Sequence, residues 1–337
     1  MQTYLVSIIS EHLIPNYLFI KEWEGRYDSL VFITTKEMES AGYSHRLEKA
    51  LNLQSNSVKR IPVSEENLNA IKGKLNVYSW NTEDSYIVNI TGGTKVMSIG
   101  CYDFFSRFNS LFYYIPIGKN KIKDVLSSED ISINYRLTLS EYLTLYGLTA
   151  EYESELTYPY ERTRELFTKF KSTGFQRGKV EELRNAQILS ESKDRKYFSG
   201  TWFEEYCYSI TKREFLLSDN SIWFGVKLFR KDSGTENDNE VDVMFIVENE
   251  LYVCECKMSL MKPGERDYDV LESYMYKLAA ISKDFGLKVK PYILTLHKET
   301  HSIHNRRKSI EKRMNILGIK GFFNARYFID ETLWNVL

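Results

Sequence analysis

The chain has 337 residues, 43% hydrophobic and 27% charged, with a formal net charge of −1. This length suits two domains, and the near-zero charge excludes a global polycation, so any nucleic-acid contact has to come from local patches. No apolar run approaches the roughly 18–20 residues of a membrane span, the N-terminus lacks signal-peptide features, and Cys101, Cys207, Cys254 and Cys256 form no CxxC pair, so a cytoplasmic protein with reduced thiols is expected.

In chain order, TYLVSII (3–9) reads as a largely apolar strand, and Pro15 opens a helix running to about Trp23. DSLVFITT (28–35) is a second strand, KEMESAGYSHRLEKALN (36–52) has helical spacing, and SVKRIPV (57–63) suits an edge strand. SEENLNAIKGKL (64–75) reads as a helix capped by Ser64, with Glu65 and Glu66 in the first turn, where the helix dipole favours negative charge. SYIVNI (85–90) is a strand, KVMSIGCYDFFSRF (95–108) a helix and SLFYYIPI (110–117) a strand. Strands separated by helices of this length predict a parallel sheet covered on both faces, an α/β fold.

The rhythm lapses over 121–198. LTLSEYLTLYGL (137–148) looks helical, and ERTRELFTKFKSTGFQRGK (161–179) starts helical and gathers Arg162, Arg164, Lys169, Lys171, Arg177 and Lys179. This region is predicted to be a helical connector whose basic face is solvated, turned to nucleic acid or placed at a hinge. A second small α/β domain follows: a helix over 201–213, a strand over 221–230, a hairpin over 241–257, a helix from about 265 to 285, a strand over 289–296 and a helix over 302–318. The predicted divisions are 1–120, 121–198 and 199–337.

The hairpin carries charge where apolar residues prevail. In Leu251–Lys257, alternation puts Val253, Glu255 and Lys257 on one face, and a short turn brings Asp242 beside them if the strands pair. Buried charges on one side of a sheet cost on the order of several kcal/mol unless paired. Two carboxylates one strand apart make an oxygen-rich site for Mg²⁺ or Mn²⁺, with the main-chain carbonyl of Cys256 as a further ligand and Lys257 to orient water or stabilise charge at phosphorus. The plain structural alternative is a cross-strand Asp242–Lys257 salt bridge. Upstream, Asn89-Ile-Thr-Gly-Gly-Thr-Lys95 follows a strand and opens a helix. Gly92 and Gly93 let backbone amides approach a ligand, Thr91 and Thr94 offer hydroxyls and Lys95 a charge, so a phosphate-bearing ligand fits; a tight turn that binds nothing is the alternative. Neither GxxxxGK[ST] nor GxGxxG is present.

The spacing Asp242…Glu255-x-Lys257 resembles the PD-(D/E)xK restriction-endonuclease-like superfamily, although Val241 stands where that motif has proline. The resemblance implies a catalytic set of Glu204, Asp242, Glu255 and Lys257, with Glu204 from the preceding helix (Glu205 as alternate), metal at Asp242, Glu255 and Cys256, and Tyr276 or Lys277 from a later helix. The TGGTK turn is similar to the signature of CARF domains, Rossmann-like sensors of cyclic oligoadenylates. That similarity implies ligand contacts from Ser10, Asn16, Thr34, Thr91, Gly92, Gly93, Thr94 and Lys95, with Thr34 and its neighbour Thr35 the weaker candidates. A CARF-like domain followed by a PD-(D/E)xK-like domain is the layout of the CRISPR-associated CARF nucleases. It implies a homodimer that binds cyclic tetra-adenylate as an allosteric activator and cleaves DNA and/or RNA with Mg²⁺ or Mn²⁺.

Three rival readings fit these residues less well. A HEPN ribonuclease needs R-x(4–6)-H, and no arginine lies at that spacing before any of the five histidines. A non-enzymatic, ligand-sensing DNA-binding regulator leaves the four charged residues unexplained. A stand-alone restriction or repair nuclease leaves the TGGTK turn unexplained. His297, His301 and His304 have the spacing of a zinc face, but they read as a loop into a basic helix.

Overall fold

The computed structural model describes every residue except 55–56, 117, 128, 191–194, 231–239, 263, 287 and 336–337, and divides the chain into Met1–Leu148 and Thr149–Leu337. In the first unit, β1 (Thr3–Ile8), β2 (Ser29–Thr34), β3 (Val58–Pro62), β4 (Ser85–Asn89) and β5 (Asn109–Tyr114) alternate with α1 (Ile14–Glu22), α2 (Lys36–Ser40), α3 (Tyr43–Ala50), α4 (Leu68–Asn76) and α5 (Lys95–Phe105). These five strands are parallel, in the order β3-β2-β1-β4-β5. Leu5 and Val6 point to opposite faces of β1 and neither is exposed, as a parallel sheet covered on both sides requires. One face packs Val6, Val31 and Val88 against Met97, Phe104 and Phe105 of α5. The strand order reverses between β1 and β4, which places a topological switch point beside the loops that follow them.

Local chemistry departs from the sequence reading at several places. The helix expected over 36–52 breaks into α2 and α3 at Gly42, whose φ of 77° ends helical continuation. The expected Ser64 cap is corrected: Asn67 caps α4 by accepting from the Ala70 N–H (2.9 Å), while the Ser64 hydroxyl accepts from Asn67 N (3.2 Å) in a preceding turn. Glu65 and Glu66 therefore precede the helix.

Residues 121–198, expected as a connector, divide between the two units. β6 (Lys121–Asp124) and β7 (Asp130–Ser132) extend the first sheet antiparallel beyond β5, and α6 (Leu139–Leu145) follows with a Thr138–Glu141 capping box. β8 (Leu148–Glu153) is the edge of the second sheet, and α7 (Tyr160–Ser172) and α8 (Arg177–Ser190) follow in the second unit. Phe170 of α7 stacks on Trp202 at 4.9 Å between ring centroids, tying the basic helix into a core. The side chain of Arg177 lies outside the described residues.

The second unit continues with α9 (Trp202–Glu214), β9 (Ile222–Arg230), β10 (Glu240–Val247), β11 (Glu250–Lys257), α10 (Asp267–Ser282), β12 (Lys290–Thr295), α11 (His301–Asn305), α12 (Arg307–Leu317), β13 (Gly321–Phe323) and α13 (Ala325–Ile329). The sheet runs β13-β12-β11-β10-β9-β8; β9–β10–β11 are antiparallel, and β12 and β13 are added parallel. An aromatic ladder crosses it: Phe245 on Tyr252 at 4.6 Å, Tyr252 on Tyr292 at 6.0 Å and Tyr292 on Phe323 at 5.4 Å, all with nearly parallel ring planes. α9 packs against β9 to β11, and α10 packs against β11 and β12. Among the described residues no helix is long and apolar enough to cross a membrane.

The glycine turn yields the first prediction. A Cβ on Gly92 would stand 2.1 Å from the carbonyl oxygen of Ile8, a main-chain atom of the central strand that cannot swing aside. Gly92→Ala is expected to destabilise the protein by about 1–3 kcal/mol, as overpacking does. Chemical denaturation of the full chain checks this, with Gly73→Ala, in open space, as control.

Candidate active site and ligand turn

The hairpin is set by a two-residue turn. Val247 pairs with Glu250, and Glu248 and Asn249 both adopt positive φ (50° and 62°), the conformation of a type I′ connection. From that turn the register reaches Val243 opposite Cys254. One step further, Asp242 lies across from Glu255 on the face away from the aromatic ladder. Asp242 and Glu255 are 5% and 1% exposed. The Lys257 ammonium sits between them, 2.7 Å from Asp242 Oδ2 and 2.9 Å from Glu255 Oε1. Lys277 of α10 donates to both oxygens of Glu255 at 3.1 Å. The main-chain N–H of Cys256 donates to Asp242 Oδ2 at 2.6 Å. The Cys256 thiol turns into the core beside Cys207, so this residue presents only main-chain atoms to the site.

α9 supplies the next acid. It follows a π-helical turn, Tyr197–Thr201, and places Glu204 where its charge is felt by Asp242, Lys257 and Glu255. Glu205 is wholly buried elsewhere, accepting from Thr157 N (2.7 Å) and Tyr197 Oη (3.1 Å). The two adjacent glutamates thus divide: Glu204 joins the acidic cluster and Glu205 anchors a loop and the π turn. Tyr276 turns outward to Arg313, so of the two α10 candidates only Lys277 reaches the cluster. Glu204 and Lys257 line a cleft of ≈ 770 Å³ together with Tyr274, whose ring centroid is 5.6 Å from the ammonium groups of both Lys257 and Lys262.

The electrostatics report an excess of acid. Burial, then the charge of Asp242, pushes Glu204 up to about 8. Burial, then Glu255, pushes Asp242 up to about 6. Burial alone would lower the Lys257 pKa, but Asp242 and Glu255 outweigh it and raise it, so the ammonium stays charged. Such a set fits a hard divalent cation in kind: oxygen donors, and protons held because positive charge is short. Among the described residues no three His, Cys, Asp or Glu side chains converge closely enough to hold a metal unaided. Two carboxylates with a main-chain oxygen and water remain a suitable set, since Mg²⁺ keeps several waters. The histidines take no part in such a group: His297 is buried against Asp267 at 3.4 Å and His304 lies 3.4 Å from Glu299.

In the first unit the structure separates the eight sequence candidates into two groups. Four hold the turn. Asn16 is fully buried and donates to Ser7 Oγ (2.9 Å) and the Ile8 carbonyl (2.7 Å), and Thr34 is fully buried at the end of β2. The Thr91 hydroxyl donates to Asn89 Oδ1 (2.5 Å) and accepts from Ile115 N (2.9 Å), and Gly92 lies against Ile8. The other four face outward at the switch point: Ser10 is half-buried beside Gly92, and Gly93, Thr94 and Lys95 are exposed. Gly93 has φ of 72°. Thr94 caps α5 by accepting from Met97 N (3.2 Å) and donates to the Glu65 carbonyl (2.6 Å), and Glu65 in turn borders a hollow of ≈ 560 Å³ with Lys36 and Lys74. The sequence does not place Lys36 and Lys74 beside the turn, because the hollow depends on the turn that displaces α4 to Leu68.

Family models match both units: the Card1 CARF domain over residues 4–142 and the Card1-like endonuclease domain over residues 191–332. Can2 from Sulfobacillus thermosulfidooxidans, solved in complex with cyclic tetra-adenylate, is 18% identical over 96% of this chain and 95% of its own, with a TM-score of 0.71. VC1899 from Vibrio cholerae is 17% identical over 98% and 96%, with a TM-score of 0.72. A type III CRISPR defence DNA nuclease activated by cyclic oligoadenylate is 16% identical over 89% of this chain and 46% of its own, with a TM-score of 0.58. No curated protein matches the sequence. The chain joins a CARF domain of the Card1 type to a Card1-like endonuclease domain, the build of the CRISPR-associated CARF nucleases.

The divided glutamates give a paired prediction. The native state holds the Glu204 proton more tightly than the unfolded chain, so this group's contribution to stability falls as pH rises from about 4.5 to about 8. In EDTA, Glu204→Gln is expected to match the wild-type Tm at pH 5 and exceed it by a few degrees at pH 9. Glu205→Ala leaves the Thr157 N–H without its acceptor and is expected to cost about 1–3 kcal/mol at both pH values. Thermal melts of the three proteins at the two pH values check both.

Proposed function

We propose that the protein is a metal-dependent nuclease of type III CRISPR defence, switched on when its CARF domain binds a cyclic oligoadenylate, with cyclic tetra-adenylate the preferred ring. The observation that carries the reading is the buried Asp242–Lys257–Glu255 cluster with Glu204 beside it, at the wall of an open cleft in an endonuclease domain. The substrate is the phosphodiester backbone of DNA and/or RNA.

Asp242, Glu255 and the carbonyl of Cys256 would hold Mg²⁺ or Mn²⁺. When bound, that ion supplies Lewis acidity toward the phosphodiester and a more acidic water. Lys257 remains cationic, so its task is to offset negative charge developing at phosphorus rather than to accept a proton. Lys277 fixes the Glu255 carboxylate through both oxygens. Glu204, pushed up to about 8, exchanges its proton near neutral pH and is suited to hold or release one beside the attacking water.

On the sensor side, Ser10, Gly93, Thr94 and Lys95 offer a hydroxyl, main-chain amides at the start of α5 and an ammonium to a phosphate. A four-nucleotide ring has near two-fold symmetry, which suits a C2 homodimer presenting two such turns. Activation then follows if the ring binds more tightly to the cleavage-competent arrangement. The resemblance to Can2, solved with this ring, supports the choice of ligand.

The test is cleavage of labelled single-stranded RNA, single-stranded DNA and supercoiled plasmid with Mn²⁺, with and without cyclic tetra-adenylate. Glu255→Ala is expected to lose on the order of 10²-fold or more in rate while still binding the ring. Cleavage that ignores the ring would point to a stand-alone nuclease. Ring binding without cleavage of any substrate would point to a regulator.

A further inference from the structure

We infer that Arg184 is a substrate-positioning residue that clamps a phosphate of the nucleic acid next to the one being cut, an assignment that rests on the nuclease reading. Arg184 lies on α8, outside the predicted metal and catalytic set, yet its side chain lines the same ≈ 770 Å³ cleft as Glu204 and Lys257. Its Nε is buried, and no described residue accepts a hydrogen bond from it. Its Nη2 reaches Glu181 Oε1 only at 3.4 Å, one turn earlier on the same helix. Glu181 is itself 57% exposed, so this pair is weak and screened.

A buried guanidinium N–H without an acceptor is unfavourable, and native proteins seldom leave one. Nε and an adjacent Nη form the edge of the guanidinium that binds two oxygens of a phosphate or carboxylate at once. Here that edge has one vacant donor and one loosely used donor. The Glu181 contact is the only described carboxylate contact of Arg184, and it engages Nη2 alone. The same cleft is lined by Glu204 and Lys257, and the acidic cluster has Lys257 and Lys277 as its own counter-charges. A cleft of this size admits more than one phosphate, and an incoming backbone oxyanion satisfies Nε while displacing Nη2 from Glu181. The vacant donor thus matches the charge of the substrate class that the catalytic cluster implies.

The test compares wild type, Arg184→Gln and Arg184→Lys. Binding is read by fluorescence anisotropy of labelled single-stranded DNA and RNA oligonucleotides of one sequence, in a Glu255→Gln background that cannot cut. Arg184→Gln is expected to raise Kd about tenfold, the range for a lost charge-assisted hydrogen bond. It should also flatten the log Kd against log salt slope by roughly one phosphate contact, about 0.7 for a single strand. Arg184→Lys keeps the slope but, lacking the fork, recovers only part of the affinity. With Glu255 restored, KM rises and kcat stays within about twofold. Thermal melts identify a purely structural role: a lowered Tm with unchanged salt slope and KM overturns the clamp. Unchanged Kd and slope in the variants, or no oligonucleotide binding by the parent at any salt, overturn it as well. Wild type that binds through Arg184 but cuts nothing leaves the clamp standing and refutes the nuclease reading.

Discussion

The second unit is organised around one contact set: the Lys257 ammonium held between the carboxylates of Asp242 and Glu255. Removing one partner of a buried ion pair is strongly destabilising because the survivor is left uncompensated. All three groups must therefore reach the same face at the same level. Strand alternation makes this a demand on register, since a slip of one residue would carry Glu255 into the aromatic ladder and Cys254 into the charge cluster. The two-residue turn at Glu248–Asn249 fixes the count from one end. The Phe245–Tyr252–Tyr292–Phe323 stack, on the opposite face, makes any other count lose packing.

Charge balance then explains why the cluster is unfinished as a structural device. Three acids, Glu204, Asp242 and Glu255, meet Lys257 and the partly exposed Lys277. Glu204 and Asp242 respond by holding protons well above the usual carboxylate range. Glu205, one residue along, shows how the same fold treats an acid that is only structural: it is buried more completely, yet two donors satisfy it. The contrast separates a carboxylate placed for packing from carboxylates placed near one another despite repulsion, a combination associated with chemistry.

What the sequence made legible follows from which signals are local. Alternation and apolar runs exposed the five parallel strands of the first unit and the hairpin of the second, and the D…ExK spacing exposed the cluster because strand geometry converts spacing directly into a shared face. β6, β7 and β8 were missed because short, polar strands at or next to a sheet edge carry no buried alternation, and their pairing is decided by the neighbouring strand. Ser64 and Asn67 are both competent caps, and only the turn between β3 and α4 decides that Asn67 takes the helix. Asn16, Thr34 and Thr91 were legible as polar residues near the switch point. Whether a hydroxyl or amide faces a ligand or the protein is set by long-range partners such as Ile115 N, which composition does not reveal.

Those inward-facing residues also constrain how the glycine turn can work. Asn89 Oδ1 receives both the main-chain N–H and the hydroxyl of Thr91, Asn89 Nδ2 donates to Ser7 Oγ, and Thr94 is tied to Glu65 and Met97. The turn is thus braced to the ends of β1 and β5 and to the turn preceding α4. A braced turn gives up little conformational entropy on binding, so less of the interaction with an anion is consumed in ordering the loop. It also has little slack with which to yield. An anion engaging Lys95 and the first amides of α5 would meet a helix whose cap residue, Thr94, is also tied to the turn preceding α4. Rigid bracing of this kind is the physical condition under which a small ligand can bias one packing of a domain over another.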